Sequence, residues 1–451
     1  MTILHDAAEF ARHTKLEDIP GSAIQVSKSA IIDFLGITLA GTREAVSVKI
    51  RDYAIQNSAR KESRILGTHH LVVGELAALA NGVAGHALDF DDTSWTTIGH
   101  PTVTVLPAVL AIGELVNASG CDIIRSYLLG VEIQHKIASL MMPETSEHGW
   151  HTTSGFGPLG AAAASALLFE CDTQMMISAL GIAASKAGGL RSNFGTMTKA
   201  YHAGMSAMNG VMATRLAQSG ITASLSAIEA EDGFIQTFSG KRIDQAALNW
   251  GDPWDIIENG LVFKKYPCCS GTHPALDCLF EILNQETISD QLISSLEVGV
   301  SQLAFKELVS SDPGTPLEAR FSMEFVLAVA IVVGKLSLEE FTIANIKNHR
   351  IQSMMSKVKM VLDPELAKLG FIGTAPAKLK IVLKNGRTLT NRCNLAKGNP
   401  EKPFNENEIE EKFINCTSKV LPENEVNKLL KNLSSLEAIK NINQITSVFQ
   451  N

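Results

Sequence analysis

Most of the local signatures that announce a chemistry are missing from this chain. There is no P-loop, no GxSxG elbow, no HExxH helix and no CxxC pair. Phosphate cradling, a serine nucleophile on a strained turn and the usual zinc spacings therefore have no handle. No GxGxxG follows a strand pattern, which removes the dinucleotide fingerprint. Seven cysteines are scattered, an odd number without the spacing of a disulfide framework. Cys268, Cys269 and Cys278 are too irregular for an iron–sulfur cluster, and Cys268 reads as a small buried hydrophobe.

Positive charge is also scarce. Lys and Arg total 39 against 47 Asp and Glu, a formal net charge of −8, and no basic stripe marks a nucleic-acid surface. An acidic protein that binds an anionic substrate needs local cations in its pocket, so individually placed lysines matter. No run reaches the roughly 18 apolar residues that span a bilayer, and the charged, amphipathic MTILHDAAEFARHTKLEDIP lacks a signal-peptide core. The expectation is a cytoplasmic protein with neither nucleic acid nor membrane as partner. With 15 Pro in 451 residues and no low-complexity tract or internal repeat, a folded chain of two domains is expected.

What is present is concentrated in NGVAGHALDFDDTSWTTIGHPTVTVLP, residues 81–107. His86, Asp89, Asp91, Asp92, Thr93 and His100 stand there between alanine-rich apolar shoulders, with glycines at Gly82, Gly85 and Gly99. Ionisable groups are costly in apolar surroundings unless paired or used, so the stretch reads as the lining of a site.

Around it the pattern is helical. Two helices broken at Pro20-Gly21, then helices near 46–60, 73–81, 103–116, 123–142, 155–169 and 175–189, follow from apolar spacing. Runs such as GPLGAAAASALL and ALGIAASKAGGL let helix axes approach closely. Lys199 and His202 sit three apart at a helix start and point at one space. Near residue 262 the character changes. ISSLEVGVSQLAF and PAKLKIVLKNGRTLTNRCN alternate in strand fashion around a helix at 325–335, and Asn385-Gly386 predicts a hairpin with positive φ at both turn positions. Helical, polar sequence returns from about 403. The fold expected is mainly α: an all-α part over 1–262, an α+β unit over 263–398, and helices over 399–451 returning to the first.

Imidazoles, carboxylates and lysines are what remain for chemistry. His86, His100, His151 and His202 all lie in glycine-flanked, low-charge segments. Such a set suits proton transfer next to a carboxylate, a histidine moving the proton while cations hold negative groups.

HALDFDDT followed by GHPTVTVLPAVLA, then GWHTTSGFGPLGAAAASA, NFGTMTKAYHAG, FKKYPCCSGTH, LEARFSMEF and GNPEKPFNENEIEEKF, resemble the MmgE/PrpD family in order along the whole chain. The resemblance implies a large all-α domain with an inserted α+β lid, a homodimer, and action on small di- or tricarboxylates with no metal or organic cofactor. It implies catalytic roles for Asp89, His100, His151, Lys199 and Lys264. His100 is the proton carrier with His151 beside it, and the two lysines hold substrate carboxylates. Thr93 is expected to hydrogen-bond the substrate, with His202 and Lys265 as further binding candidates. Two departures stand out: the tyrosine of the decarboxylase pattern is Phe325, and a histidine after the lid lysine is Cys269. The loop from Thr93 to His100 is also one residue longer. These favour dehydration of a 2-methylcitrate-like hydroxy acid. Iminodisuccinate epimerisation, cis-aconitate decarboxylation and a silent helical scaffold dimer are the alternatives.

Overall fold

Glycine at helix crossings sets the geometry of the larger of two cores. In the computed structural model, which describes residues 2–243, 248–286, 288–370 and 374–449, helix Gly74–His86 crosses helix Met197–Gln218 where Gly82 faces Gly204. A Cβ on Gly82 would lie 2.7 Å from the Gly204 Cα, and one on Gly204 would lie 2.3 Å from the Leu79 carbonyl oxygen. Only bare backbone fits, so these axes come closer than side-chain layers permit. The same device joins helix Gly120–Ser139 to helix Thr152–Leu168, where a Cβ on Gly160 would meet the Gly130 carbonyl at 2.8 Å. Helix ends follow local rules: Ser119 and Asp122 form a capping box, and the Asp172 side chain caps Thr173–Ser185.

Helix Gly21–Gly41 is long and apolar enough, by length and composition alone, to cross a bilayer, although polar residues interrupt its apolar sequence. Two thirds of its apolar window, 67%, is buried inside the protein, as for a core helix. Its Gly36 seats Phe413 of helix Glu406–Thr417, the Phe413 ring carbon being 2.9 Å from where a Cβ would stand. Ile31, Phe34 and Leu35 thus share one core with Phe413, Leu429 and Leu433. The C-terminal helices complete the N-terminal bundle. Residues 450–451, the end of the expected return, and 244–247 lie outside the described residues.

The second core is built from residues 266–393. After a small ribbon, β1 (Ser63–Arg64) with β2 (Leu71–Val72), the strands are β3 (Ile293–Val300), β4 (Val358–Leu362), β5 (Ala377–Leu383) and β6 (Thr388–Cys393), in the order β4-β3-β5-β6. β3 and β4 run parallel and the other pairs antiparallel. Helices His273–Gln285 and Met323–Val333 supply the apolar cover. β4 was not anticipated: VKMVL is a short edge strand with two exposed positions, too weak a pattern to read alone. The end of the expected first strand, from Gln302 to Phe305, instead belongs to a helix, Gln302–Glu307. The β5–β6 turn also differs from expectation. Gly386 takes φ 85° but Asn385 is not left-handed, and Gly386 N–H donates to the Leu383 carbonyl at 2.9 Å. A type I turn closed by a left-handed glycine replaces the two-residue loop.

The chain passes between the cores twice, side by side. Phe263 N–H donates to the Gly398 carbonyl at 3.0 Å. A Cβ on Gly398 would collide with the Phe263 oxygen, and its φ is 95°.

Candidate active site

The close crossing at Gly82 and Gly204 brings two helix ends together. Asp89 lies just beyond the C-terminus of Gly74–His86, and Lys199 is in the first turn of Met197–Gln218. Lys199 Nζ donates to Asp89 Oδ1 at 2.5 Å, both side chains being buried. Lys264, one residue past Phe263 at the first passage between the cores, places Nζ 3.2 Å from Asp89 Oδ2 and donates to the Asp89 carbonyl at 2.9 Å. Asp89 has φ 49°, a left-handed conformation costing a non-glycine residue about 1 kcal/mol, least for Asn and Asp. The backbone around it is over-determined. Three consecutive carbonyls accept from three buried cations: Leu88 from Arg320 at 2.8 Å, Asp89 from Lys264, and Phe90 from Lys412 at 3.0 Å. Those cations come from the smaller unit, the crossing and the C-terminal return. All three parts of the chain fix the angle of one carboxylate.

The loop then bridges Thr93 to Val262 and Ser94 to Gly99 before helix Thr102–Val116 begins. The bridges hold His100 over the site. Its Nδ1 is 3.0 Å from Asp91 Oδ2, and its Nε2 is 3.7 Å from Asp89 Oδ1. Asp91 also accepts from His86 Nδ1, at 2.9 Å. Asp91 thus sits between two imidazoles. Burial works to raise its pKa, but His100 and His86 overcome this and hold it well below the carboxylate range. Burial depresses His100 to about 3, with His86 and Lys264 adding to the effect and Asp91 opposing it. The stable arrangement is an ionised Asp91 that accepts from a neutral His86 and lies beside a neutral His100. With the proton of His100 on Nδ1 towards Asp91, the Nε2 lone pair faces Asp89 and the cavity as a base.

His151 stands at the N-terminus of Thr152–Leu168, its backbone N–H on the Gly189 carbonyl at 2.9 Å. Its Nδ1 is 3.0 Å from His202 Nδ1, one ring donating and the other accepting. Burial, then Lys199, holds His151 well below its ordinary value, and burial lowers His202 to about 4. Asp89 is pushed the other way: burial favours its neutral form, but Lys199 and Lys264 keep it ionised. Burial works against the charge on Lys264, and Asp89 more than restores it.

Asp89, His100, His151, Lys199 and Lys264 line a cavity of about 40 Å³ between the two cores. Of the residues read from sequence, Asp89, Thr93, His100, His151, Lys199, Lys264 and Cys269 face it. The Thr93 Oγ1 is buried there with no hydrogen-bond partner among the described residues. Two binding candidates are not in the lining. His202 stands behind His151, because the intervening ring fills the space one helical turn above Lys199. Lys265 points outward, 43% exposed, with Nζ 3.5 Å from Asp277 and 5.1 Å over the Tyr266 ring, since successive residues in extended chain face opposite ways. Phe325 is fully buried against Phe341 and does not reach the cavity. A tyrosine at this position, as the resemblance leads one to expect, would therefore sit in the smaller core rather than in the lining.

Sequence reading missed Phe194 and Phe321, whose rings flank the Lys199 ammonium at 5.3 and 5.1 Å. It also missed Glu307, the second carboxyl in the lining. Nothing marked Glu307: within AFKELVSS it looks like a solvated helix face. Four ligand-type atoms of His86, Asp89, Asp91 and His100 lie within 4.8 Å of one another. Two ammonium groups already face the Asp89 carboxylate, which gives the cluster the charge balance of a proton-transfer site rather than of a cation cage.

Known proteins resemble the chain along its whole length. The MmgE/PrpD N-terminal domain matches residues 5–246 and the MmgE/PrpD C-terminal domain residues 266–436. The cis-aconitate decarboxylase of Homo sapiens is 27% identical, over 97% of this chain and 92% of its own. That of Mus musculus is 26% identical, over 97% and 91%, and that of Aspergillus terreus 23%, over 98% and 95%. The chain belongs to the MmgE/PrpD family.

Proposed function

We propose that the protein is a lyase that moves a proton at the carbon next to a carboxylate of a small di- or tricarboxylate, using its own side chains. One observation carries the reading. Two buried ammonium groups converge on a carboxylate, and a neutral imidazole stands 3.7 Å from the same carboxylate oxygen. A substrate carboxylate that shares Lys199 and Lys264 has the negative charge of its enolate-like state stabilised there, an effect worth about 3 kcal/mol per well-placed donor. His100 Nε2 then takes the α-proton. Thr93 Oγ1 is free to bind a substrate oxygen.

The finer outcome we favour is dehydration of a 2-methylcitrate-like hydroxy acid, which pairs this base with an acid for the departing hydroxyl. Decarboxylation of a cis-aconitate-like substrate is the second reading, supported by the similarity to the cis-aconitate decarboxylases. A cavity of about 40 Å³ holds about three waters, so the proposal includes movement of the 263–398 unit as a lid. It also includes the homodimer, which light scattering tests. Proton NMR of the purified protein with 2-methylcitrate, cis-aconitate and iminodisuccinate, tried separately in D₂O, tests the chemistry. Alkene signals from 2-methylcitrate support dehydration, and itaconate from cis-aconitate supports the second reading. Deuterium entering iminodisuccinate without loss of substrate means epimerisation, and silence on all three overturns the lyase.

A further inference from the structure

Of the two carboxyl groups lining the cavity, Asp89 has both oxygens facing ammonium groups and is ionised, so it has no proton to give. Glu307 is placed differently. It ends the short helix Gln302–Glu307 of the smaller unit, facing the cavity whose other wall carries His100. Its Oε2 accepts from the Cys269 thiol across 3.7 Å. Burial raises its pKa, and the charges that oppose this, Arg191, Lys199 and Lys264, do not restore it, while Asp89 raises it further. The lining it shares includes the apolar Leu303 and Phe321, and burial in such surroundings favours the neutral acid.

We propose that Glu307 is the acid that protonates the departing hydroxyl, a role that rests on the dehydration reading above. The step balances. As His100 Nε2 takes the α-proton, the C–H electron pair becomes the new C=C bond. The C–O bond breaks with its pair on oxygen, and that oxygen takes the Glu307 carboxyl proton and leaves as water. His100 is then imidazolium and Glu307 carboxylate, and return of one proton from the first to the second resets the site. The base on the larger unit and the acid on the smaller one line the same cavity. Cys269, at a position where the family resemblance leads one to expect a histidine, contributes a weak donor that does not force Glu307 to ionise.

The test uses leaving groups of different basicity. Wild type, Glu307→Gln and Glu307→Asp are assayed on 2-methylcitrate, citrate and malate, and on analogues carrying chlorine in place of the hydroxyl, since chloride departs without a proton. On whichever hydroxy acid the wild type dehydrates, Glu307→Gln loses about 10²-fold or more in kcat, the size of a general-acid contribution. On the matching chloro analogue it stays within about threefold of wild type, and Glu307→Asp recovers part of the loss. Equal losses on both leaving groups assign Glu307 a structural or electrostatic role and overturn the proposal while leaving dehydration intact. Undiminished dehydration by Glu307→Gln overturns it as well. A wild type that eliminates water from none of the three hydroxy acids defeats the dehydration reading, and the proposal with it.

Discussion

Lys264 grips Asp89 twice, its ammonium 2.9 Å from the backbone carbonyl and 3.2 Å from Oδ2. With Lys199 at 2.5 Å from Oδ1, both oxygens of the carboxylate face a lysine ammonium group. We propose that Asp89 keeps both lysines aimed at the cavity until a ligand carboxylate shares them.

Asp89→Asn therefore leaves two buried ammonium groups facing a neutral amide. Breaking a buried pair this way costs about 3 kcal/mol or more, read as a lowered Tm. Because a ligand carboxylate supplies the missing charge, citrate-like anions raise the Tm of Asp89→Asn by more than that of wild type. An equal or smaller rise in the variant contradicts the placeholder role.

The Phe90 carbonyl is held by Lys412, which also pairs with Asp33 at 2.8 Å and stands 3.9 Å over the Phe90 ring. Lys412→Met strands the Asp33 carboxyl in the core, an expected loss of about 3 kcal/mol. The double variant Asp33→Asn/Lys412→Met regains much of that stability but not the grip on Phe90. Its kcat stays reduced while its Tm recovers. Full recovery of both quantities removes Lys412 from the positioning of the loop.

At the helix crossing, Gly204→Ala puts a methyl 2.3 Å from the Leu79 oxygen. Overpacking of this kind costs about 1–3 kcal/mol and pushes apart the two helices that bring Asp89 to Lys199. Denaturant unfolding together with kcat/KM reads both effects. Unchanged values mean that the crossing does not set the site.

Much of this was legible in the sequence, and the reasons differ by element. Small-residue runs at helical spacing locate the bundle helices because close packing leaves no other use for so many glycines and alanines. The 81–107 stretch declared itself by its cost, since six polar groups between apolar shoulders must be paired or used. Asp89, Thr93, His100, His151, Lys199 and Lys264 line one cavity. Side-chain direction was not legible. His202 falls behind His151, and Lys265 turns outward from a segment where either lysine fitted the chemistry. Glu307 and the carbonyl grips of Arg320 and Lys412 were invisible because they come from residues more than 200 positions away in sequence.

Stability falls in mild acid for a definite reason. His100 and His202 have native pKa values depressed to about 3 and about 4 from 6.5. Below pH 6.5 the unfolded chain binds protons there that the native protein refuses, so stability declines as pH drops from about 6.5 towards 4. Asp92 and Asp33, whose native pKa values burial raises, work in the opposite sense, losing stability as pH rises above 3.8. Tm measured from pH 7 to pH 4 checks the balance. His202→Asn flattens the profile in this window, and an unaltered slope in that variant refutes the assignment.

The most direct test of the central claim is deuterium exchange at the carbon next to the carboxylate, followed by NMR in D₂O for wild type and His100→Ala. The claim predicts exchange or turnover by wild type and a loss of about 10²-fold or more in His100→Ala at unchanged Tm. Exchange at the wild-type rate in His100→Ala, or no exchange by wild type with any small polycarboxylate, contradicts it.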